Sequence, residues 1–141
     1  PGALPRAALM ALPRQEVVQA YLNADLFVFA SNVEYSPLVL FESAAAGLPF
    51  LSVPVGNAAE IAEWTGCGII CPAAQDARGY TRVSAEILGA GISRLVDNQA
   101  HLRALGATGR QRFLESYTWE AITRRYEALF FEISRDSAEG R

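Results

Sequence analysis

Two glutamates stand eight positions apart around a Ser-Pro step. Glu34 and Glu42 lie in the segment EYSPLVLFESAAAGLP, residues 34–49, which is otherwise apolar enough to be core. Carboxylates are rarely buried without a partner, so this placement needs an explanation. The Ser36-Pro37 step is typical of a helix start, with a capping hydroxyl followed by proline at the first helical position. Such a helix places Glu34 just before its positive end and Glu42 about one turn further along.

The first turn of this helix offers backbone donors to an anion. The N–H groups of Leu38, Val39 and Leu40 have no partner within the helix, and the capping serine satisfies one of them. An anion flanked by two carboxylates suits a nucleotide sugar, whose diphosphate takes the N–H donors while its sugar hydroxyls donate to the carboxylates. The alternative is structural: Glu34 is solvated, and Glu42 complements the helix dipole or acts as a cap.

The elements that must position these residues alternate between strands and helices. The predicted order is a helix over 13–25, a strand over 26–30, the helix from Ser36 to Gly47 with Pro49 beyond it, a strand over 50–55, a short helix capped by Asn57, a strand over 67–71, and three closing helices from about residue 80. This β-α-β alternation predicts an α/β fold, a parallel sheet with flanking helices and right-handed connections. Residues 75–82 are predicted to form an exposed loop.

Several of these features match the register of a known family. The segment ADLFVFASNVEYSPLVLFESAAAGLPFLSVPVGNAAEI resembles the donor-binding half of the retaining glycosyltransferases of GT-B fold, called glycosyl transferases group 1 or family 4. The matching positions are the two glutamates of a Glu-x7-Glu pair, Gly47, Pro49, Gly56 and Glu60. YTWEAITRRYEALF resembles the Trp-containing final helix of these proteins, so the likeness covers most of residues 13–133.

The resemblance implies a role for each matching residue. Glu34 would be the catalytic residue, beside the hydroxyls of the donor hexose. The substrate-binding positions would be Ser36, Pro37, Leu38 and Val39 at the diphosphate, Glu42 at the ribose hydroxyls, and Gly56 and Asn57 near the sugar. Many relatives have a Gly-Phe-Gly-like turn where this chain has Tyr35-Ser36-Pro37, and Gly-Gly where it has Gly-Asn, and both departures can alter donor preference.

A larger departure is what the chain lacks. Relatives carry an acceptor-binding domain, two strands and a Lys/Arg pair before the point where this sequence starts. Arg14 and Arg78 are out of register with that pair, and we expect both to be solvated. Because charge on the leaving group must be stabilised in such a transfer, this piece alone should be inactive. Residues 1–141 are therefore interpreted as one partial domain, the Rossmann-like C-terminal half-domain of a GT-B fold with a helical C-terminus.

The sequence is consistent with two functions, one enzymatic and one non-catalytic. The first is the donor-binding part of a metal-independent, retaining glycosyltransferase that moves a sugar from a nucleotide-diphosphate donor to a glycan, lipid or small-molecule acceptor. The alternative is a non-catalytic, transferase-like module for interaction or oligomerisation. The resemblance implies that strand 26–30 has an open edge, since its neighbour would be absent. We expect that edge either to self-associate or to be covered by residues 7–12.

The composition excludes several other partners. A net charge of −3 gives no basic field for nucleic acid. The apolar runs are too short for a membrane-spanning helix, and the missing initiator Met predicts a fragment. Cys67 and Cys71 match no redox or zinc spacing and are predicted to be buried, reduced thiols in a cytoplasmic protein, which can lie peripherally at the inner face of a membrane. His101 is the one histidine and is predicted to be a solvated helix residue, so we expect no metal and no other cofactor.

Overall fold

The predicted alternation of strands and helices is present in the structure, a computed structural model that describes residues 7–139. The helices are α1 (Arg14–Asn23), α2 (Leu38–Ala46), α3 (Ala58–Thr65), α4 (Ala85–Val96), α5 (Gln99–Ser116) and α6 (Trp119–Glu139). The strands are β1 (Phe27–Phe29), β2 (Phe50–Ser52), β3 (Gly68–Ile70), β4 (Ala74–Gln75) and β5 (Thr81–Arg82). All three closing helices occur, and the apolar runs form the three strands β1 to β3.

The main sheet is parallel and has the order β1-β2-β3. Phe27 pairs with Phe50, and Phe50 pairs with Gly68 on the other side. All three residues of the central strand β2 are buried, whereas those of β1 and β3 are half-buried. Continuous apolar strands of this kind suit a sheet that helices cover on both faces.

The edge of β1 is not covered by the N-terminal segment. Residues 7–12 form no strand, and β1 hydrogen-bonds to β2 alone among the strands of the described chain. The prediction that this segment shields the edge is therefore wrong, because residues 7–12 run as irregular and mostly exposed chain ahead of α1. Self-association through that edge stays a prediction.

Residues 75–82 are not a simple loop. Strands β4 and β5 pair in antiparallel fashion, with Gln75 opposite Thr81. Asp76 closes the turn between them, because its side chain accepts hydrogen bonds from the N–H groups of Arg78 and Tyr80. These hydrogen bonds, that from Tyr80 first, lower the pKa of Asp76. The two strands have two residues each, which is too short to show a period in the sequence.

Helix α5 lies close to the rest of the fold because it contains small residues. A Cβ atom added at Gly109 would lie 2.5 Å from the Cβ of Cys67, and one at Gly106 would lie 3.2 Å from the carbonyl carbon of Gly47. The core that this packing encloses contains Leu40, Ala44, Phe50, Leu51, Val53, Val55, Ala58, Ile61, Cys67, Cys71, Leu95 and Leu102. The backbone of α5 therefore touches both the end of α2 and the start of β3.

Helix α6 packs against the rest of the described chain only near its start. Ala121 is buried and Ile122 is half-buried, but every residue over 123–135 is exposed. Within the described residues, no helix is both long enough and apolar enough to cross a lipid bilayer.

Candidate functional site

Most of the predicted site residues lie at the carboxyl edge of the parallel sheet. The loop after β1 leads through Glu34 to α2, and the loop after β2 leads through Gly56 to α3. In open α/β folds the loops at this edge are where ligands bind. The topology therefore brings two of the predicted segments to the same side of the molecule.

The turn at Gly56 is in direct contact with the loop that carries Glu34. Gly56 has a φ of 53°, and a Cβ atom there would lie 2.8 Å from the carbonyl oxygen of Glu34. The N–H of Asn57 donates to the carbonyl oxygen of Tyr35 at 3.0 Å. A side chain at position 56 would collide with backbone that cannot move aside, so only glycine fits this close approach. The structure thus places Glu34, Gly56 and Asn57 together.

Asn57 is the N-cap of α3, as predicted, but its side chain makes no capping hydrogen bond. Its Oδ1 atom is buried and has no hydrogen-bond partner in the described structure. A buried acceptor without a donor is destabilising, and such groups often mark a place where a ligand or water donates. This atom is therefore a candidate acceptor in the site.

The hairpin of β4 and β5 holds the two loops from a third side. The N–H of Thr81 donates to the carbonyl oxygen of Asn32 at 2.9 Å, and its hydroxyl donates to that of Pro54 at 3.4 Å. Asn32 lies in the loop after β1 and Pro54 in the loop after β2, and Thr81 is almost fully buried. Sequence reasoning missed this contact, because nothing in a loop-like segment indicates which distant carbonyls it will meet.

The start of α2 differs from the prediction in detail. The helix begins at Leu38, its N-cap residue is Pro37 with a ψ of 93°, and no side chain caps it. Ser36 is therefore not the cap, because the extended Pro37 separates its hydroxyl from the first turn. The N–H of Leu40 donates to the carbonyl oxygen of Pro37 at 3.0 Å, which leaves Leu38 and Val39 as the first-turn donors without an intrahelical partner. Gly47 ends the helix in the left-handed conformation, as predicted.

Glu42 has a partner that the sequence analysis did not assign. Arg14 makes two contacts with it, Nη2 to Oε1 at 2.8 Å and Nη1 to Oε2 at 3.1 Å. The hydrogen bond and the negative charge of Glu42 raise the pKa of Arg14. Burial and, secondarily, the charge of Glu42 raise the pKa of Tyr21. Arg14 and Arg78 are both exposed, as expected, but the ion pair of Arg14 with Glu42 was not predicted.

Glu42 and Glu34 lie on different surfaces of the molecule. Glu42 lines a groove of about 840 Å³ between four helices, and Glu34 does not line it. The other lining residues are mainly apolar or aromatic: Arg14, Val18, Tyr21, Leu22, Leu38, Phe41, Ala45, Ala46, Arg110, Phe113, Tyr117, Trp119 and Ile122. Glu34 and Ser36 are instead exposed beside the Gly56 turn. Leu38, at the start of α2, lines the groove with Glu42.

The remaining titratable candidates are two cysteines and one histidine. Cys67 and Cys71 are free and buried, as predicted, and burial raises the pKa of Cys67 to about 12. His101 is an exposed residue of α5, as predicted. Between residues 7 and 139 the structure contains no cluster of His, Cys, Asp or Glu side chains suited to a metal ion.

Comparison with known proteins gives the family. The family profile described as "Glycosyl transferases group 1" matches residues 8–112, which is more than half of the chain. This chain belongs to glycosyl transferases group 1. The assignment agrees with the Glu-x7-Glu register, and the parallel sheet with its helical C-terminus agrees with a GT-B fold.

Three proteins illustrate what this family member is similar to. N-acetyl-alpha-D-glucosaminyl L-malate synthase of Bacillus anthracis is 27% identical over 128 residues, which are 91% of this chain and 31% of that protein. MMP alpha-(1->4)-mannosyltransferase of Mycolicibacterium hassiacum is 26% identical over 119 residues, 84% of this chain and 27% of that protein. The solved sucrose-phosphate synthase of Thermosynechococcus elongatus has a TM-score of 0.62 at 26% identity, over 91% of this chain and 30% of that one. The chain thus spans about a third of the length of these relatives.

Proposed function

We propose that this chain is the donor-binding part of a retaining glycosyltransferase, which transfers a sugar from a nucleotide diphosphate to a glycan, lipid or small-molecule acceptor. The observation that carries the proposal is the contact between the Gly56 turn and the backbone of Glu34 and Tyr35. It fixes the backbone of Glu34, whose side chain is exposed, against the turn that carries Asn57, whose buried Oδ1 has no partner, at the ligand-binding edge of an α/β sheet. Two acceptors carried by segments in contact suit a ligand rich in hydroxyl groups.

In this proposal the donor hexose lies over the Gly56 turn. Glu34 accepts hydrogen bonds from its hydroxyls and is the catalytic residue, and Asn57 contributes its Oδ1 atom. Gly56 allows the close approach of the two loops that this arrangement needs. The hairpin residue Thr81 acts behind the site by holding both loops.

The diphosphate lies at the N-terminus of α2. The N–H groups of Leu38 and Val39 donate to it, with Ser36 and Pro37 shaping the approach, while Leu40 is already engaged with Pro37. Two backbone donors are few for a diphosphate leaving group, because the negative charge that develops on it must be stabilised during the reaction. Further cations must come from the rest of a longer transferase, so the 141-residue chain alone should not transfer sugar.

Glu42 receives the ribose hydroxyls. A carboxylate has about four acceptor positions, and Arg14 occupies two of them, so two remain for a vicinal diol. The bidentate contact with Arg14 also fixes the plane of the carboxylate, which orients the free lone pairs. The reaction needs no metal or other cofactor in this proposal. We place the protein in the cytoplasm, consistent with its two free thiols, and assign self-association to the β1 edge.

A donor panel on the full-length transferase that contains this chain tests the proposal. Diphosphate sugars of uridine, guanosine and adenosine are added, and the melting temperature is followed, because a ligand of the native state raises it with the logarithm of concentration over Kd. One donor should raise the melting temperature clearly more than the others. No shift with any donor would contradict the proposed function.

A matched pair of glutamate variants tests the catalytic assignment. Glu34→Gln should lower turnover by about 10- to 100-fold, the value of one charge-assisted hydrogen bond, while the melting temperature stays within error. Glu63→Gln, on an exposed position of α3, is the control and should behave as wild type. Wild-type turnover in the Glu34 variant would remove its assigned role.

The ribose assignment predicts a different kinetic signature. Glu42→Ala should weaken donor binding by about tenfold or more through the lost hydrogen bonds to the diol. Arg14→Ala keeps the carboxylate and should weaken it less. Calorimetry on the full-length protein measures both, and an Arg14 variant that binds as poorly as the Glu42 variant would show that the ion pair, and not the diol, dominates.

The same calorimetry on the isolated chain tests whether most of the diphosphate contacts lie outside it. We expect feeble binding of every nucleotide sugar, because only two backbone donors face the diphosphate. Micromolar binding of any donor to the 141-residue chain would show that its diphosphate contacts have been misplaced.

A further inference from the structure

The hairpin of β4 and β5 joins the two loops of the candidate site just before their functional residues. The N–H of Thr81 donates to the carbonyl oxygen of Asn32 at 2.9 Å, and its hydroxyl donates to that of Pro54 at 3.4 Å. Asn32 lies two residues before Glu34. Pro54 in turn lies two residues before Gly56. One buried residue, through what we call the Thr81 bridge, therefore connects the loop of the candidate carboxylate to the loop of the glycine turn.

The same two loops also meet directly, at a second point. The N–H of Asn57 donates to the carbonyl oxygen of Tyr35 at 3.0 Å, and the Gly56 turn lies against the backbone of Glu34. A single point of contact between two loops leaves them free to turn about it. Because the Thr81 bridge adds another point a few residues away, the two loops are held in one relative orientation.

The hairpin is closed by its own hydrogen bonds, so it can act as a fixed support for the bridge. The Asp76 carboxylate accepts hydrogen bonds from the N–H groups of Arg78 and Tyr80. It also pairs with Arg82, whose Nε lies 2.9 Å from Oδ2. The N–H of Asp76 donates to the carbonyl oxygen of Tyr80 at 2.9 Å. The position of Thr81 between Tyr80 and Arg82 is thus fixed by contacts within the hairpin.

We propose that Thr81 is a positioning residue of the transferase, which acts on the reaction through Glu34 by fixing the loop that carries it against the Gly56 turn. The inference rests on the proposed function, in which Glu34 contacts the donor hexose while the diphosphate and the ribose are bound at α2. Loss of the Thr81 bridge should therefore affect turnover more than donor affinity. A small displacement of a catalytic group lowers the rate even where binding is kept.

A conservative series at position 81 of the full-length transferase tests the bridge. Thr81→Val keeps the shape of the side chain and the backbone N–H but removes the hydroxyl that reaches Pro54. It should lower kcat by about three- to tenfold, the range that one neutral hydrogen bond supports, while the Kd of the donor stays within about twofold. Thr81→Ser restores the hydroxyl and should recover most of kcat.

Thr65→Val is the matched control for the loss of a buried hydroxyl. The Thr65 hydroxyl donates to the carbonyl oxygen of Ile61 at 2.7 Å, within α3 and at the opposite end of that helix from Asn57. The control should lower the melting temperature at least as much as Thr81→Val does, and it should leave kcat of the folded enzyme unchanged. Equal losses of kcat in the two valine variants would reduce Thr81 to a stabilising residue and overturn the inference.

Hydrogen exchange of the donor-free enzyme tests the bridge separately from the reaction. In wild type the amide of Thr81 should be protected, because it donates to Asn32. In Thr81→Val the amide of Asn57 should exchange faster than in wild type, because the direct contact between the loops has lost its second point of support. Unchanged exchange at Asn57 would overturn the inference even if kcat fell, since the loss would then not act through the loops.

The two levels of the argument fail in different ways. A wild-type enzyme that binds none of the donors would remove the proposed function and the role of Thr81 with it. A wild-type enzyme that binds and transfers sugar, together with a Thr81→Val variant of undiminished kcat, would remove the role of Thr81 alone.

Discussion

Helices α2 and α6 carry apolar residues for opposite reasons. In α2 the small side chains Ser43 and Ala44 are fully buried, and the helix ends at Gly47, against which α5 packs. Helix α6 is more than twice as long, and past Ile122 its apolar residues face solvent among charged ones. Apolar content therefore identifies a helix that needs a partner, but only packing shows whether the chain itself supplies that partner. Within the described residues, α2 is packed into the core, whereas the outer part of α6 stays exposed.

The largest expected effect is on the free energy of unfolding. It distinguishes a phenylalanine in the buried core from one on the exposed part of α6. Phe50→Ala, in the buried centre of β2, should lower the free energy of unfolding by about 3–5 kcal/mol, because it leaves a cavity between strands and helices. Phe131→Ala, on α6, should change it by less than about 0.5 kcal/mol. Urea denaturation of both variants measures the difference. Similar losses would show that α6 is packed into the body and that the contrast is false.

A pair of glycines tests the close packing of α5. Gly106→Ala should cost about 1–3 kcal/mol, because its Cβ would overlap the backbone of Gly47, which cannot rotate away. Gly89→Ala is the control in α4, where nothing lies within 4 Å of the added atom, and it should be neutral or stabilising by up to about 1 kcal/mol. Thermal unfolding ranks the two. A stable Gly106 variant would mean that α5 can shift away from the end of α2.

The pH dependence of stability reports on the buried thiol of the body. The pKa of Cys67 rises from its ordinary 9.0 to about 12 on folding, because its surroundings are apolar. Below pH 9 the thiol is protonated in both states and its contribution is constant. Above pH 9 the unfolded chain releases the proton first, so stability should fall by about 1.4 kcal/mol per pH unit until the folded pKa is reached.

The Cys67 dependence has a matched control in Cys71. Cys67→Ala should remove most of the loss of stability between pH 9 and 10. Cys71→Ala should retain most of it, since the effect of burial on its thiol is partly offset by a backbone hydrogen bond. Denaturation at the two pH values gives the slopes. Equal slopes in wild type and the Cys67 variant would show that folding does not raise the pKa of this thiol.

The smallest effect concerns the ion pair between α1 and α2. Arg14→Ala should lower the melting temperature only slightly, because the guanidinium is exposed and solvent weakens such pairs. The difference from wild type should shrink as salt is added. A salt-independent loss would contradict a surface ion pair and would assign Arg14 a packing role along the groove.

The sequence predicted the strands and helix ends, which depend on neighbouring residues. It missed the side-chain contacts between residues that are distant along the chain. The strands were visible as apolar runs, and Gly47 ended α2 because glycine tolerates the left-handed conformation there. The Arg14–Glu42 pair joins residues 28 positions apart, and no local pattern encodes it. An acidic residue in the apolar helix LVLFESAAA did indicate that some partner was needed, without saying which.

The candidate site residues of the two loops lie where the topology places them, and the predicted cap of α2 is wrong, while the roles of these residues stay a prediction. The proximity of Glu34, Gly56 and Asn57 follows from topology, because both loops leave the same edge of a parallel sheet. The capping role of Ser36 failed because proline at position 37 took an extended conformation, which local propensity does not exclude. The hairpin of β4 and β5 was missed because two-residue strands have no measurable period.

The anchoring of that hairpin by Thr81 makes its tip a natural place for a reporter. The tip around Arg78 and Gly79 is exposed, with nothing within 4 Å of a Cβ added at Gly79, while its base is tied to the loops after β1 and β2. A fluorophore on a cysteine introduced at position 78 would sit outside the core and still be mechanically connected to both loops. Movement of either loop would then be readable as a change in the probe's anisotropy, without any label placed in the site itself.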